Sequence, residues 1–100
     1  MDEKERNGYI CLIVMNETVG FDIRDKDRKR KSVWARNFLA YKLKQMGLSL
    51  NVIGDIIERD HSTVVHALKS AKNALEYPLL YQDSIEIWNS FQEKLNLEQI

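Results

Sequence analysis

The sequence predicts an all-α fold, a compact bundle of about five helices that contains a helix-turn-helix. Three observations carry this. Apolar residues recur at helical spacing through most of the chain. The apolar stretches are separated by residues that start or stop helices, among them Gly20, Ser32, Gly47, Ser49 and Pro78. The one run that reads equally well as a strand, Ile10 to Val14, has no second run to pair with. A lone strand leaves its backbone ladder open.

The elements follow in order. The first seven residues are polar and charged and are expected to fray. Tyr9 to about Val19 is read as the first helix, with Ile10, Ile13 and Val14 at i, i+3 and i+4, and Gly20 ends it. Arg24 to Lys31 holds no apolar residue, so it is a solvated loop or a frayed turn. Ser32 is placed to cap the second helix, Val33 to Met46. Its Phe38, Leu39, Tyr41, Leu43 and Met46 fall mostly on one side, and Gly47 stops it. Ser49 caps a short third helix, about Leu50 to Ile57, with one stripe of Val52, Ile53, Ile56 and Ile57. After a break at Glu58-Arg59, Asp60 or His61 opens a fourth helix that runs to about Leu75. Its buried side is expected to carry Val64, Val65, Leu68, Ala71 and Leu75. Pro78 separates it from a last helix, about Leu80 to Leu95, with Ile85, Trp88, Phe91 and Leu95 along one side. No repeat, linker or low-complexity segment divides the chain, so residues 1–100 read as a single domain.

Composition narrows the function classes. A chain this short buries roughly 60–65% of its unfolded surface, enough for one modest core. No apolar run approaches the ~20 residues that span a bilayer, so no membrane role is expected. Cys11 is a lone cysteine, which excludes an internal disulfide, and no Cys/His cluster has zinc spacing. A reducing, cytoplasmic setting is the expectation. The formal net charge is zero, but the charge is unevenly placed. Between Arg24 and Lys44 lie nine Lys/Arg and two Asp, a local +7; from Glu76 to Glu98 lie five acids and one lysine, a local −4. A solvated face is the ordinary reading of such a run; a positive surface for nucleic acid is the sharper one.

The helix pair Leu50–Ile57 and Asp60–Leu75 has the size of a helix-turn-helix, whose second helix puts its N-terminal residues against base edges in the major groove. That position needs short polar side chains, because long ones hold the backbone off the duplex. Ser62 and Thr63 fit, the Thr methyl can pack on a thymine methyl, Asp60 can accept from cytosine N4, and His61 can donate or accept. The free N–H groups of the helix start suit phosphate. The plainer alternative is that Asp60 or Ser62 only caps the helix and His61 is solvated. His66, unaided, reads as a surface residue. His61 and His66 stand five apart, not the three or four that place metal ligands on one face. Ser62 and His66 lack an orienting acid and an oxyanion hole, so no enzyme is expected. No Gly-rich phosphate loop is present, so neither nucleotide nor another cofactor is expected.

The stretch Leu48-Ser49-Leu50-Asn51-Val52-Ile53-Gly54-Asp55, followed by Arg59-Asp60-His61-Ser62-Thr63-Val64-Val65-His66-Ala67, resembles the signature of the C-terminal DNA-binding domain of the DnaA family of bacterial replication initiators. The family pattern reads roughly S-L-x-x-I-G, then G-R-D-H-[ST]-T-V-x-H-A. A weaker likeness extends from about Tyr9 to Leu95 and includes Ala35-Arg36 to Tyr41. The resemblance implies a domain that reads a short duplex sequence, a DnaA box, in replication initiation or its regulation. A recognition helix enters the major groove, with Arg59, Asp60, His61, Ser62, Thr63 and His66 at matching positions. A basic loop sends an arginine, Arg28 or Arg30, into the neighbouring minor groove. Arg36 matches an arginine opening the long helix, and Lys44 a lysine on a phosphate. A narrow A/T-rich minor groove attracts such arginines.

Several positions depart from the family pattern. Two glycines usually stand between the helices, where this chain has only Glu58 before Arg59, so the turn is shorter and lacks a residue suited to positive φ. Asn37 replaces a glutamine, and Asp25 and Asp27 dilute the basic loop. The ATPase module of the full-length initiator has no counterpart, which implies a free-standing reader or an excised domain. The resemblance also implies a monomer, and no dimerisation heptad is visible. A different reading keeps the fold as a protein-interaction module docking a partner through the acidic C-terminal helix. Exposed Tyr81, Trp88 or Phe91 would support that one.

Overall fold

The computed structural model describes residues 1–26 and 29–98. Among these residues the chain forms five α-helices, no strand, and one 3-10 turn at Pro78–Tyr81. The helices are α1 (Glu3–Val19), α2 (Arg30–Gln45), α3 (Leu50–Ile57), α4 (His61–Glu76) and α5 (Gln82–Glu98). They pack into a body of 38 × 32 × 24 Å.

The N-terminal segment corrects the first expectation. The helix begins at Glu3, not Tyr9, because Asp2 caps it by accepting from the Glu5 N–H at 2.8 Å. Glu3 and Glu5 then sit in the first turn, where the helix dipole favours acids. Gly8 lets this part of α1 lie close on α3: a Cβ there would stand 2.8 Å from Ile56 Cδ1 and 3.0 Å from Leu48 Cδ1. Gly20, at φ 88°, ends the helix as expected, its N–H donating to the Asn16 carbonyl.

α2 is the central element. Ala35 to Ala40 are all buried, and Phe38, Leu39 and Leu43 have no exposed surface. The helix starts earlier than expected, with Lys29 at the cap position, so Ser32 lies inside it, buried and with its hydroxyl unpartnered. The end is a Schellman motif: Leu48 N–H donates to the Leu43 carbonyl at 3.2 Å and Gly47 N–H to that of Lys44 at 3.0 Å. Gly47 provides the left-handed residue at φ 90°.

α3 has the boundaries that the sequence predicts, with Ser49 Oγ accepting from Val52 N–H at 3.2 Å. Its Ile53, Ile56 and Ile57 are buried among α1, α2 and α4. α4 packs against α2 through Val64, Ala67, Ala71 and Ala74. These small side chains leave Val65, Leu68 and Leu75, expected in the core, only partly covered.

α5 is held by aromatic rings. Trp88 meets Phe38 (5.6 Å), Tyr41 (5.9 Å) and Phe91 (6.1 Å) in tilted or edge-on pairs, and Trp34 meets Phe38 (5.4 Å) and Tyr81 (5.5 Å). Such pairs add about 0.5–1.5 kcal/mol each beyond their burial. Beneath α1, Cys11 Sγ donates to Met46 Sδ at 3.7 Å, and burial pushes the thiol pKa up to about 11.

Candidate nucleic-acid interface

The helix-turn-helix is built around Gly54 and Glu58. Glu58 takes the left-handed conformation, φ 56° and ψ 52°, so the short turn does contain a residue at positive φ although no glycine stands there. The turn is thus made without the glycine that suits this conformation. The chain then folds back so tightly that a Cβ on Gly54 would stand 2.7 Å from the Arg59 carbonyl oxygen. Only a glycine at 54 admits this approach.

Asp60 caps α4, its carboxylate accepting from the Thr63 N–H at 2.8 Å. The Thr63 backbone and side-chain hydrogen bonds hold its pKa below the ordinary carboxylate value. His61, Ser62 and Thr63 are exposed at the tip, and His66 is exposed one turn further along. These four residues form a short polar edge at the positive end of the helix.

The second half of the site is the loop between α1 and α2. It contains one buried apolar residue, Ile23. Asn16 Oδ1 accepts from the Ile23 N–H at 2.9 Å. Asp22 accepts from the Arg24 N–H at 2.9 Å and from the Arg24 guanidinium at 2.9 Å. The Arg24 side-chain bond holds the Asp22 carboxyl down to about 2. Arg24 also lies 3.6 Å from the Glu58 carboxylate. Lys29, Arg30 and Lys31 stand exposed at the start of α2. Arg28, with Asp27, lies outside the described residues.

Two of the predicted DNA-contacting arginines are turned inward. Arg36 is 8% exposed, and its guanidinium donates to the carbonyls of Ile23 at 2.9 Å and Asp25 at 3.3 Å. In this structure it supports the loop. Arg59 is half-buried. It donates to the carbonyls of Glu58 (2.9 Å), Arg24 (3.1 Å) and Asp25 (2.9 Å). Asn37, at the position of the family's glutamine, is buried as well.

Lys44 is exposed at the end of α2. With Lys69 and Lys72 of α4 it rims a shallow apolar groove floored by Tyr41 and Leu68. The two α4 lysines were missed in the sequence. Their i, i+3 spacing was visible, but their nearness to Lys44 needs the packing of α2 on α4. Among the described residues no group of three or more His, Cys, Asp or Glu side chains could hold a metal ion, and no helix is long and apolar enough to cross a membrane.

Comparison with known proteins agrees with this geometry. The family model for the bacterial dnaA protein helix-turn-helix matches residues 19–70, which hold the loop, α2, α3 and the first part of α4. The chain is 36% identical over 74 residues to the chromosomal replication initiator protein DnaA of Bacteroides thetaiotaomicron, covering 72% of this chain and 16% of that protein. The chain thus spans a small part of the length of the curated relative. No solved structure gives a match.

Proposed function

The chain belongs to the bacterial DnaA helix-turn-helix family, and on that premise we propose that it reads a DnaA-box-like duplex sequence through two adjoining elements. His61, Ser62 and Thr63, with His66 behind them, enter the major groove. The loop and the start of α2 present Arg28 or Arg30 to the adjacent minor groove. Lys44 meets a phosphate. The reading extends to a role in replication initiation or its control, acting as a monomer.

The observation that carries it is the juxtaposition of the two elements. Arg59, one residue before the α4 cap, bonds to the loop carbonyls of Arg24 and Asp25. The exposed tip of α4 therefore lies beside the loop that leads into the exposed cations of α2. Asp60 serves first as the cap; its second carboxylate oxygen is the one left for a cytosine amino group.

The deciding experiment is duplex binding to DnaA-box-like sites against scrambled duplex at two salt concentrations. With about five phosphate contacts, log K falls with log salt at a slope near −5. His61→Ala costs about 1–3 kcal/mol and relaxes specificity, while Lys44→Ala weakens all sequences alike. Equal affinity for box and scrambled duplex would sink the reading. The alternative, partner docking through α5, keeps partly exposed aromatic rings at Tyr81 and Trp88 but not at Phe91. Phe91 is fully buried, and Trp88 and Tyr81 are half-buried in the ring cluster.

A further inference from the structure

Three successive loop carbonyls are captured by guanidinium groups. Arg36, from α2, holds those of Ile23 and Asp25. Arg59, from the turn before α4, holds those of Arg24 and Asp25. The Asp25 carbonyl thus accepts from both. In the other direction Arg24 reaches from the loop to the Glu58 carboxylate of the turn at 3.6 Å. Among the described residues of the segment, Ile23 is fully buried and Phe21 packs partly covered against the core, so packing alone holds little of it beyond Ile23 in place. Arg36 ties the loop to the bundle. Arg59 ties it to the recognition helix, since the same guanidinium also grips its own turn at the Glu58 carbonyl, 2.9 Å away.

The geometry points to Arg59 as a positioning residue that fixes the separation between the basic loop and the recognition helix. The two are then presented to a duplex as one rigid pair, and discrimination in the loop's half of the site depends on a residue whose donors face the protein. This rests on the two-element reading proposed above. The physical gain is pre-organisation: a loop ordered before binding does not have to be ordered at the moment of binding. A lysine at 59 keeps the charge. It lacks the fork that spans the Glu58, Arg24 and Asp25 carbonyls together.

The test uses the full chain with Arg59→Ala and Arg59→Lys, each checked for helicity and thermal unfolding. Without DNA, amide exchange at Ile23, Arg24 and Asp25 accelerates at least about tenfold in both variants, while Val52 and Thr63, at the helix caps, keep wild-type rates. With DNA, two altered duplexes are compared with the intact site, one scrambled in the helix's half and one in the loop's half. Wild type discriminates against each by about tenfold or more. Both variants keep discrimination in the helix's half and fall below about twofold in the loop's half. If Arg59→Ala does not fold, Arg59→Lys decides alone. Proportional loss in both halves, or full recovery by Arg59→Lys, overturns the proposal; the second outcome would mark Arg59 as a simple phosphate contact. Should wild type discriminate in neither half, the proposed function fails. The exchange measurement still decides whether Arg59 pins the loop, and unchanged exchange rejects the pinning.

Discussion

The tip of α4 and the loop between α1 and α2 lie side by side, but different forces keep them there. The tip is the end of a helix whose Val64, Ala67 and Ala71 are buried, and Asp60 closes its first turn. The loop has Ile23 and the half-buried Phe21 for a core, with hydrogen bonds from Asn16, Arg36 and Arg59 to its backbone. Apolar burial is nearly indifferent to salt; bonds from charged groups are less so. The two halves should therefore separate under perturbation, and variants can show where they do.

The largest effect is one that should not distinguish them. Phe38→Ala removes the ring on which α2, Trp34 and Trp88 converge, and is expected to cost about 3–5 kcal/mol, read as a single fall in melting temperature. A variant that melted in two steps would show that the halves are not one cooperative unit. Arg36→Met comes next. It strips donors from two loop carbonyls and should cost on the order of 3 kcal/mol, with the loop losing amide protection before α4 does. Gly54→Ala acts on the other half. Its methyl meets the Arg59 carbonyl, so α4 must shift, at a cost of about 2 kcal/mol and with loss of duplex discrimination at the helix tip. Glu58→Gly relieves a left-handed non-glycine residue and should stabilise by about 0.5–1 kcal/mol, less than the strain itself because glycine also frees the unfolded chain. Chemical denaturation would check its sign.

Acid gives the smallest and most selective perturbation. Asp22 titrates near 2 in the fold against an ordinary value of 3.8. A depressed carboxylate stabilises at pH values above its ordinary pKa and loses that contribution as pH falls through the folded one. The anchoring of Arg24 by Asp22 is thus intact at neutral pH and lost between about pH 4 and pH 2. Asp22→Asn should remove this dependence from loop resonances while leaving the Asp60 cap to titrate as before. Identical acid profiles for the loop in the variant and wild type would show that Asp22 does not hold it.

How much of this was legible in the sequence depended on the range of the forces. α3 was readable to its ends because Ser49, Gly47 and its isoleucine stripe act within a turn or two of themselves. The tip residues His61, Ser62 and Thr63 were readable for the same reason, being defined by the cap beside them. The start of α1 was not. Its polar residues look disordered until Gly8 is seen against Ile56 and Leu48, which lie 40 or more residues away. Arginine type identifies a strong donor but not its target: Arg36 reaches carbonyls 11 and 13 residues back, and Arg59 reaches 34 and 35. Glu58 carries no side-chain sign of its backbone; the sign was Gly54, whose missing Cβ is what the turn requires.

Cys11 gives the fold a built-in clock. Its thiol is buried, and a pKa raised from 9.0 to about 11 leaves about a hundredfold less thiolate at neutral pH than an ordinary cysteine has. An alkylating reagent therefore reacts only when α1 has lifted from the bundle, and the rate of labelling counts those openings. Because it is the chain's single cysteine, the count comes from one place. Any duplex that binds the closed form must slow labelling in proportion to its occupancy, so a reagent with no affinity for DNA reports binding.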